Sequence, residues 1–576
     1  MVSYFLILFL IVVSAINCSK KNKTLAELGD EKITLGEFET QYLKTNPVLD
    51  SAKNKPMDDR RQFLNLYINF RLKVKDARER GLLNNPDLQK DVTEYKKTYS
   101  PTYLIDKEVV MSEIKKLYER RKDEVRASHI LINLAQNSPP QDSIAAYQKA
   151  DSVIQRLKSG DDFGTVAEQF SQDRTVKQNR GDLYYFTGGM TVEEFDDAIF
   201  EMRVGDFTKK PVRTVFGLHI IKLTDRKPRL ESIRASHILI QDKRDSTGKM
   251  IDSLQTYQRA LDVYNKVKNG EDFGALVQQF SEDAGSKTAN GDLGFFDRRR
   301  MAQPFDSAVF ILKVNEVAGP VRTQYGWHVI KKTDEKKYES FEKQMENIKN
   351  EYKKGPKYKN DYNKYIEKLK KDFDFSVDQA GIGFLKSKFD SAKTIADYNL
   401  DSLFATDKEK VIAKYKDGEI KIQDIINNLN INRDYQRNPL GNQTINALVN
   451  SSAEQPLLSK KAAELKVEKD DEYLVSLKEY ENGILVFRID QDELWSKIKI
   501  NDGDLMNFYE ANKTKYVKAD STGKQVTKTF DEVKPELSNE MQQVKFKDAE
   551  KTYLDALRAK YPVKINDEVL MEAFKD

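Results

Sequence analysis

Cysteine is nearly absent from this chain. Cys18 is the only one among 576 residues, so no disulfide can form within a single copy and stability must come from packing. Histidine is almost as scarce: His129, His219, His237 and His328 are the whole complement. A structural zinc site needs four ligands and a catalytic one usually three at close spacing, and histidine pairs about ninety residues apart without cysteine do not supply them. Charge of one sign is also missing. Lys plus Arg number 96 against 92 Asp plus Glu, a net charge of +4 that argues against a nucleic-acid binder. No Gly-rich phosphate loop or dinucleotide fingerprint stands out, so no nucleotide cofactor is expected. The uncharged apolar run from Tyr4 to Ile16 falls short of the roughly 20 residues that a membrane span needs.

What is present begins at that run. It suits the apolar core of a secretory signal, and Cys18 follows directly after Asn17. The segment resembles a bacterial lipoprotein signal, in which such a cysteine becomes the lipidated first residue. It departs from the pattern in two ways: residues 1–17 contain no Lys or Arg, and Asn17 stands where a smaller residue is usual. The alternative is an ordinary signal followed by a buried free thiol. On the lipoprotein reading residues 1–18 are a signal segment and residues 19–24 a polar, basic tether. With no acidic cluster after the cysteine, that reading favours a periplasm-facing membrane anchor.

The length suggests three to five domains of about 100–200 residues each. Charged residues make up 33% and hydrophobic ones 39%, with 27 Tyr and 29 Phe to supply apolar bulk, which suggests surface helices around modest cores. The clearest internal signal is a duplication. Arg126-Ala-Ser-His-Ile-Leu-Ile132 recurs as Arg234-Ala-Ser-His-Ile-Leu-Ile240. Gln169-Phe-Ser-Gln-Asp173 recurs as Gln279-Phe-Ser-Glu-Asp283, and Gly181-Asp-Leu183 as Gly291-Asp-Leu293. Pro211-Val-Arg-Thr214 recurs as Pro320-Val-Arg-Thr323, and each copy closes on Gly-x-His, at Gly217-Leu-His219 and Gly326-Trp-His328. A period of about 110 residues is too long for a solenoid and suits a small domain. Each copy reads strand, helices, strand, with the end strands expected to pair in an α+β layout. Arg226–Ser232 reads as the linker between copies.

Before the repeats, Lys32–Phe38 reads as a strand entering a helix with a Thr34–Glu37 capping pair. A helix with an aromatic-rich face is expected over residues 58–80, stopped by Gly81. After them, helices are expected through Phe341–Tyr352 and Tyr358–Leu369, broken at Gly355-Pro356. Glu419–Ile425 echoes Lys32–Phe38. Tyr480–Phe487 reads as a turn into a strand, residues 531–560 as helix, and Val563–Ile565 as a strand that closes a sheet.

All four histidines fall in matched places, which favours chemistry over packing. Hydrolysis through Ser128 or Ser236 with Asp173 or Asp283 is disfavoured, because each Ser adjoins its His on a strand and the two side chains point to opposite faces. On these motifs the repeats resemble the parvulin-type peptidyl-prolyl cis–trans isomerases. The resemblance implies an active set of His237, Asp283, Thr323 and His328, with Leu293, Met301 and Phe305 gripping the proline ring. In copy one the matching residues are His129, Asp173, Thr214 and His219, with Leu183 and Phe195. Copy one is less faithful: Tyr184 replaces the Gly after Gly-Asp-Leu, Thr191 aligns with Met301, and Glu194 replaces Pro304. Copy two is therefore expected to be the main isomerase, with copy one binding chain. Phe310 is expected in the core. Rotation about an X–Pro bond breaks no covalent bond, so no nucleophile, metal or cofactor is required.

The overall plan is similar to SurA-like periplasmic foldases. It implies a multidomain α+β chain of two parvulin-like domains, each a small antiparallel sheet with surrounding helices, flanked by largely helical chaperone modules. The expected divisions are 19–124, 125–226, 233–335 and 336–576. The implied partners are unfolded exported polypeptides, outer-membrane proteins among them, with a lipid anchor in the cell envelope. The alternative is a non-catalytic holdase that uses parvulin folds as recognition platforms.

Overall fold

The computed structural model describes residues 21–46, 49–244, 250–251, 253–390, 392–437, 439–519, 523 and 525–575. Cys18 and the signal segment lie outside the described residues. The chain forms two compact units, one of residues up to Ile105 together with Ile366 onward, the other Asp106–Tyr365.

In the first unit the hairpin Thr24–Leu28 and Glu31–Thr34 enters the helix Leu35–Thr45. Thr34 caps that helix by accepting the Glu37 N–H at 3.2 Å. The strand Val563–Ile565 pairs antiparallel with Thr24–Leu28, Ala26 opposite Ile565. Leu25, Phe38, Leu64, Ile68 and Leu72 share a core with Tyr561, Leu570 and Phe574. Leu64, Ile68 and Leu72 repeat every fourth residue along the helix Met57–Glu79, which puts them on one face. A second hairpin, Val411–Tyr415 and Gly418–Lys421, also feeds a helix, Ile422–Ile431, so the echo at 419–425 has a structural counterpart.

Tyr480–Phe487 is not a strand. It lies within the helix Asp471–Ile489. The β-prone residues Ile484 to Phe487 are overridden by tertiary packing: Leu485 and Ile489, one turn apart, bury against Ala77 and Leu88. Tyr480 stacks on Tyr95 with ring centroids 3.9 Å apart.

In the second unit each copy builds a four-stranded antiparallel sheet of the same order. Copy one runs Asp182–Phe186, Asp123–Asn133, Gly217–Pro228, Val212–Thr214; copy two runs Asp292–Phe296, Leu230–Ile240, Gly326–Lys337, Val317–Thr323. The opening and closing strands are the two central neighbours. Ile130 and Ile132 face the helices Pro140–Lys158 and Phe163–Phe170. Val125 and Ala127 face Phe195 and Ile199 of the helix Glu193–Glu201. Copy two repeats this with Ile233 and Ala235 against Phe305 and Val309. Phe310 packs in that same core.

Arg226–Ser232 is no linker. The strand Gly217–Pro228 and the strand Leu230–Ile240 are separated by Arg229 alone. Arg226 and Lys227 pair in the ladder with Val125 and Glu124, and Ser232 pairs with Lys336. Backbone polar groups are thus met within the sheets, although the side chains read as loop. The unit also contains the helices Met111–Arg121 and Phe341–Lys354, which pack together, and Gly355 ends the latter.

Candidate active site

Register alone brings the histidines together. His237 lies opposite Ile330 and His328 opposite Leu239 on neighbouring antiparallel strands. Residues opposite one another share a face, and so do residues two apart, so both imidazoles project to the same side. Their Nδ1 atoms are 3.1 Å apart in copy two, and those of His129 and His219 are 3.2 Å apart in copy one.

The motif glycines and charges hold these strands. Gly291 sits at φ +78, where a Cβ would lie 2.4 Å from the His237 carbonyl oxygen. Its own carbonyl accepts the His237 N–H at 2.9 Å, and Gly181 does the same for His129. Asp292 accepts a fork of hydrogen bonds from Arg234, as Asp182 does from Arg126, which ties Gly-Asp-Leu to the opening motif.

From the histidines a polar chain runs in both directions. His237 Nε2 is 2.8 Å from Asp283 Oδ2, and Thr323 Oγ1 is 2.7 Å from His328 Nε2. The backbone N–H of Tyr325 donates to Thr323 Oγ1 at 3.1 Å. Copy one matches: His129 to Asp173 at 2.8 Å, Thr214 to His219 at 2.8 Å, and Phe216 N–H to Thr214 at 3.1 Å. One set of tautomers satisfies every contact with the carboxylate ionised. His237 donates from Nε2 to Asp283, His328 donates from Nδ1 to His237 Nδ1, and Thr323 donates to His328 Nε2. Both rings are then neutral. Burial and the neighbouring imidazole push His328 down to about 3 and His219 down to about 4. Burial works against ionisation of Asp283, yet hydrogen bonds from Ser286 and His237 outweigh it and hold the carboxyl at about 2.

Against this polar chain lies an apolar wall. The Phe305 ring meets His237 and His328 edge-on, with centroids 5.8 Å and 5.2 Å away. Leu293, Met301 and Phe305 line a cavity of about 320 Å³ together with His237, Asp283, Thr323 and His328. The corresponding cavity of copy one is wider, about 850 Å³, and includes His129, Leu183, Phe195 and His219. Leu117 and Arg120 of one helix and Tyr352, Pro356 and Lys357 beyond the repeat extend its wall. Lys357 is held there by Glu193 at 2.7 Å and Glu113 at 3.1 Å. Asp173 and Thr214 join copy one's cluster through their hydrogen bonds to the histidines. Every candidate residue of the repeats therefore falls in one of two clusters, one per copy.

Sequence reasoning missed Ser286, 3.2 Å from His237 Nε2 and donating to Asp283. It also missed the aromatic before each closing Gly-x-His. Tyr325 lines copy two's cavity and Phe216 copy one's, and both are exposed. An aromatic held at that place in both repeats was a readable signal. No cluster of three or more metal-ligating side chains occurs among the described residues. Nor is any helix among the described residues long and apolar enough to cross a membrane.

Residues 112–227 and 222–336 each match the PPIC-type peptidyl-prolyl isomerase domain. Residues 322–574 match a second family model whose description names no activity. The chain is similar to proteins named Chaperone SurA. With that of Burkholderia orbicola it is 29% identical over 236 residues, 39% of this chain and 51% of the relative. With that of Aromatoleum aromaticum it is 33% identical over 216 residues, 36% of this chain and 47% of the relative. A solved peptidyl-prolyl isomerase, PrsA of Bacillus anthracis, is 28% identical over 24% of this chain and 59% of its own, with a TM-score of 0.17. The chain spans about half the length of the curated relatives it matches. The two repeats are PPIC-type, that is parvulin-type, peptidyl-prolyl isomerase domains in tandem.

Proposed function

We propose that the chain is a peptidyl-prolyl cis–trans isomerase and chaperone for exported polypeptides, with copy two as the main catalytic domain. The observation that carries this is the closed His–His chain, anchored by Asp283 and Thr323, facing an apolar cavity of Leu293, Met301 and Phe305. Amide resonance sustains a barrier of roughly 18–20 kcal/mol to rotation about the X–Pro bond. A twisted amide has lost that resonance, and its nitrogen accepts a hydrogen bond. The apolar wall holds the proline ring while the polar chain, fixed in one orientation, favours the twisted state over the planar ones. No group here needs to act as a nucleophile.

Copy one supports binding more than turnover. Thr191 spends its hydroxyl on Asp196, and Glu194 stands where copy two has Pro304. Its wider cavity suits a longer stretch of chain. The relatives' name supports the chaperone reading. On this reading the first unit, residues up to Ile105 together with Ile366 onward, serves as the chaperone module, and both parvulin-like domains belong to Asp106–Tyr365. Clients include outer-membrane proteins, the location is the periplasm, and Cys18 carries the lipid anchor.

The test is isomerisation of a short proline peptide by the full chain. Met301→Ala removes a side chain worth roughly 1.5–3 kcal/mol when buried. If about half of that acts on the rotating state, the rate falls about three- to tenfold. Phe305→Ala falls at least as far, while Phe195→Ala in copy one changes the rate little. Equal losses from Phe195→Ala and Phe305→Ala would remove the ranking of the copies, and a larger loss from Phe195→Ala would reverse it. An inactive parent chain would leave the holdase reading.

A further inference from the structure

Tyr184 is the departure in copy one that its own site does not explain. It stands where copy two has Gly294, at φ +60 against +68 for the glycine. A bulky residue in the left-handed region is strained and persists where its surroundings demand it. Its ring is buried, yet its hydroxyl does not serve copy one. It donates to Asp306 Oδ2 of copy two at 2.8 Å. It also accepts from Arg298 Nη1 at 3.1 Å and from Ser307 Oγ at 3.0 Å.

Asp306 follows Phe305 and is fully buried. Its Oδ1 accepts the Arg299 N–H at 2.7 Å and closes the 299–306 segment into a loop. That loop carries Met301, Ala302 and Phe305, three residues of the cavity wall. Copy one builds the same loop around Asp196, which accepts the Gly189 N–H at 2.6 Å. There the other carboxylate oxygen is filled from within the loop, by the Thr191 hydroxyl. The position of Thr191 is held in copy two by Met301, which has no hydroxyl to give. The second oxygen of Asp306 is satisfied instead by Tyr184 and by Arg298 Nη1 at 3.0 Å. A second tie comes from copy one: Glu124 forms an ion pair with Arg298 at 2.7 Å, without hydrogen-bond alignment. Both carboxylates and the guanidinium are buried, so each depends on its partners.

We propose that Tyr184 of copy one is a positioning residue for the proline pocket of copy two, acting through Asp306 and Arg298. The exchange of Thr for Met gives copy two an apolar wall and removes the hydroxyl that braces its loop, and copy one supplies the replacement. The pocket of copy two is then complete only with copy one docked against it. This rests on the reading of copy two as the isomerase.

The experiment uses the full chain and a double-mutant cycle. Tyr184→Phe deletes the hydroxyl and keeps the ring. Losing one hydrogen bond to a buried carboxylate is expected to raise KM for a proline peptide about three- to tenfold, with kcat within about twofold. In a Met301→Ala background the same change is expected to add much less than in the parent, because the Met301 part of the wall it positions is gone. Tyr184→Gly, the residue of copy two, is expected to act like Tyr184→Phe even though it relieves the backbone. Independently of activity, the ¹³C-methyl signal of Met301, assigned with Met301→Leu, is expected to shift or broaden in Tyr184→Phe. Additive effects in the cycle, or an unmoved Met301 signal, would overturn the proposal. If the parent chain does not isomerise at all, the functional reading fails, and the Met301 signal alone decides the positioning role.

Discussion

Two imidazoles whose Nδ1 atoms lie 3.1 Å apart leave room for one proton between them. Asp283 fixes which ring holds it: the carboxylate accepts from His237 Nε2–H, so His237 Nδ1 is the acceptor and His328 Nδ1 the donor, and the Thr323 hydroxyl completes the chain by donating to His328 Nε2. Thr323→Val keeps the shape and removes that hydroxyl. A buried ring nitrogen left without its partner costs about 1–3 kcal/mol, so kcat/KM is expected to fall about tenfold in a peptide assay while the chain stays folded. A Val variant as fast as its parent would mean that this end of the chain does not matter to turnover. The two closing histidines, His219 and His328, make the fold acid-sensitive. Burial holds His219 at about 4 and His328 at about 3, against roughly 6.5 for a free imidazole. Between those limits the unfolded chain takes up protons that the folded chain refuses, so stability falls as pH drops below about 6.5. At about pH 4.5 each of the two histidines removes on the order of 2 kcal/mol. Asp283, held at about 2, contributes stability above about 3.9 that is lost only as pH falls from there toward 2. Urea midpoints are expected to drop between pH 7 and 4.5, and His328→Gln is expected to flatten that slope. A parent midpoint that did not change over this range would contradict the burial argument.

Elements were legible in the sequence where a local rule decides them. The approach of His237 to His328 follows from alternation once the opening and closing segments are paired strands, and the repeat itself suggested that pairing. The Thr34 cap, the break at Gly355-Pro356 and the helix Phe530–Lys560 are local signals of the same kind. Reading failed where distant contacts overrode local preference. Ile484 to Phe487 favour a strand by composition, yet helical spacing lets Leu485 and Ile489 bury together. Charge and proline made 226–232 look like a loop, although in-ladder pairing meets its backbone groups. The site residues came from the family resemblance, carried on motifs that recur between the copies. Ser286 has no counterpart hydroxyl in copy one, where Val176 takes the place, and so gave no repeat signal. Tyr184 was visible as a departure from the pattern, but its partner Asp306 is more than a hundred residues away and belongs to the other copy.

At the scale of the molecule the chain leaves its first unit after Ile105 and returns to it at Ile366. Nothing local announces that return, since Ala26 and its partner Ile565 stand near opposite ends of the sequence. The consequence is that the last residues are core. Tyr561, Leu570 and Phe574 are all buried beside Phe38, Leu64 and Ile68, and Phe574 lies 5.5 Å from Tyr42 between ring centroids. At roughly 1.5–3 kcal/mol for each large apolar side chain, the three together contribute on the order of 5 kcal/mol or more. A whole domain is stable by only about 5–15 kcal/mol. Ending the chain after Lys560 also strips the strand Val563–Ile565 from Thr24–Leu28 and exposes a sheet edge. Loss of the first unit's cooperative unfolding is therefore expected in calorimetry, with the transition of Asp106–Tyr365 unchanged. That second transition is identified as the one Met301→Ala moves. Isomerisation of a short peptide is expected to persist in the shortened chain, because every residue of both His–His clusters remains. Suppression of client aggregation is expected to fall if the first unit carries it. Survival of the first unit's transition in the shortened chain would show that the N-terminal hairpin and the helix Met57–Glu79 close their core without the returning strand.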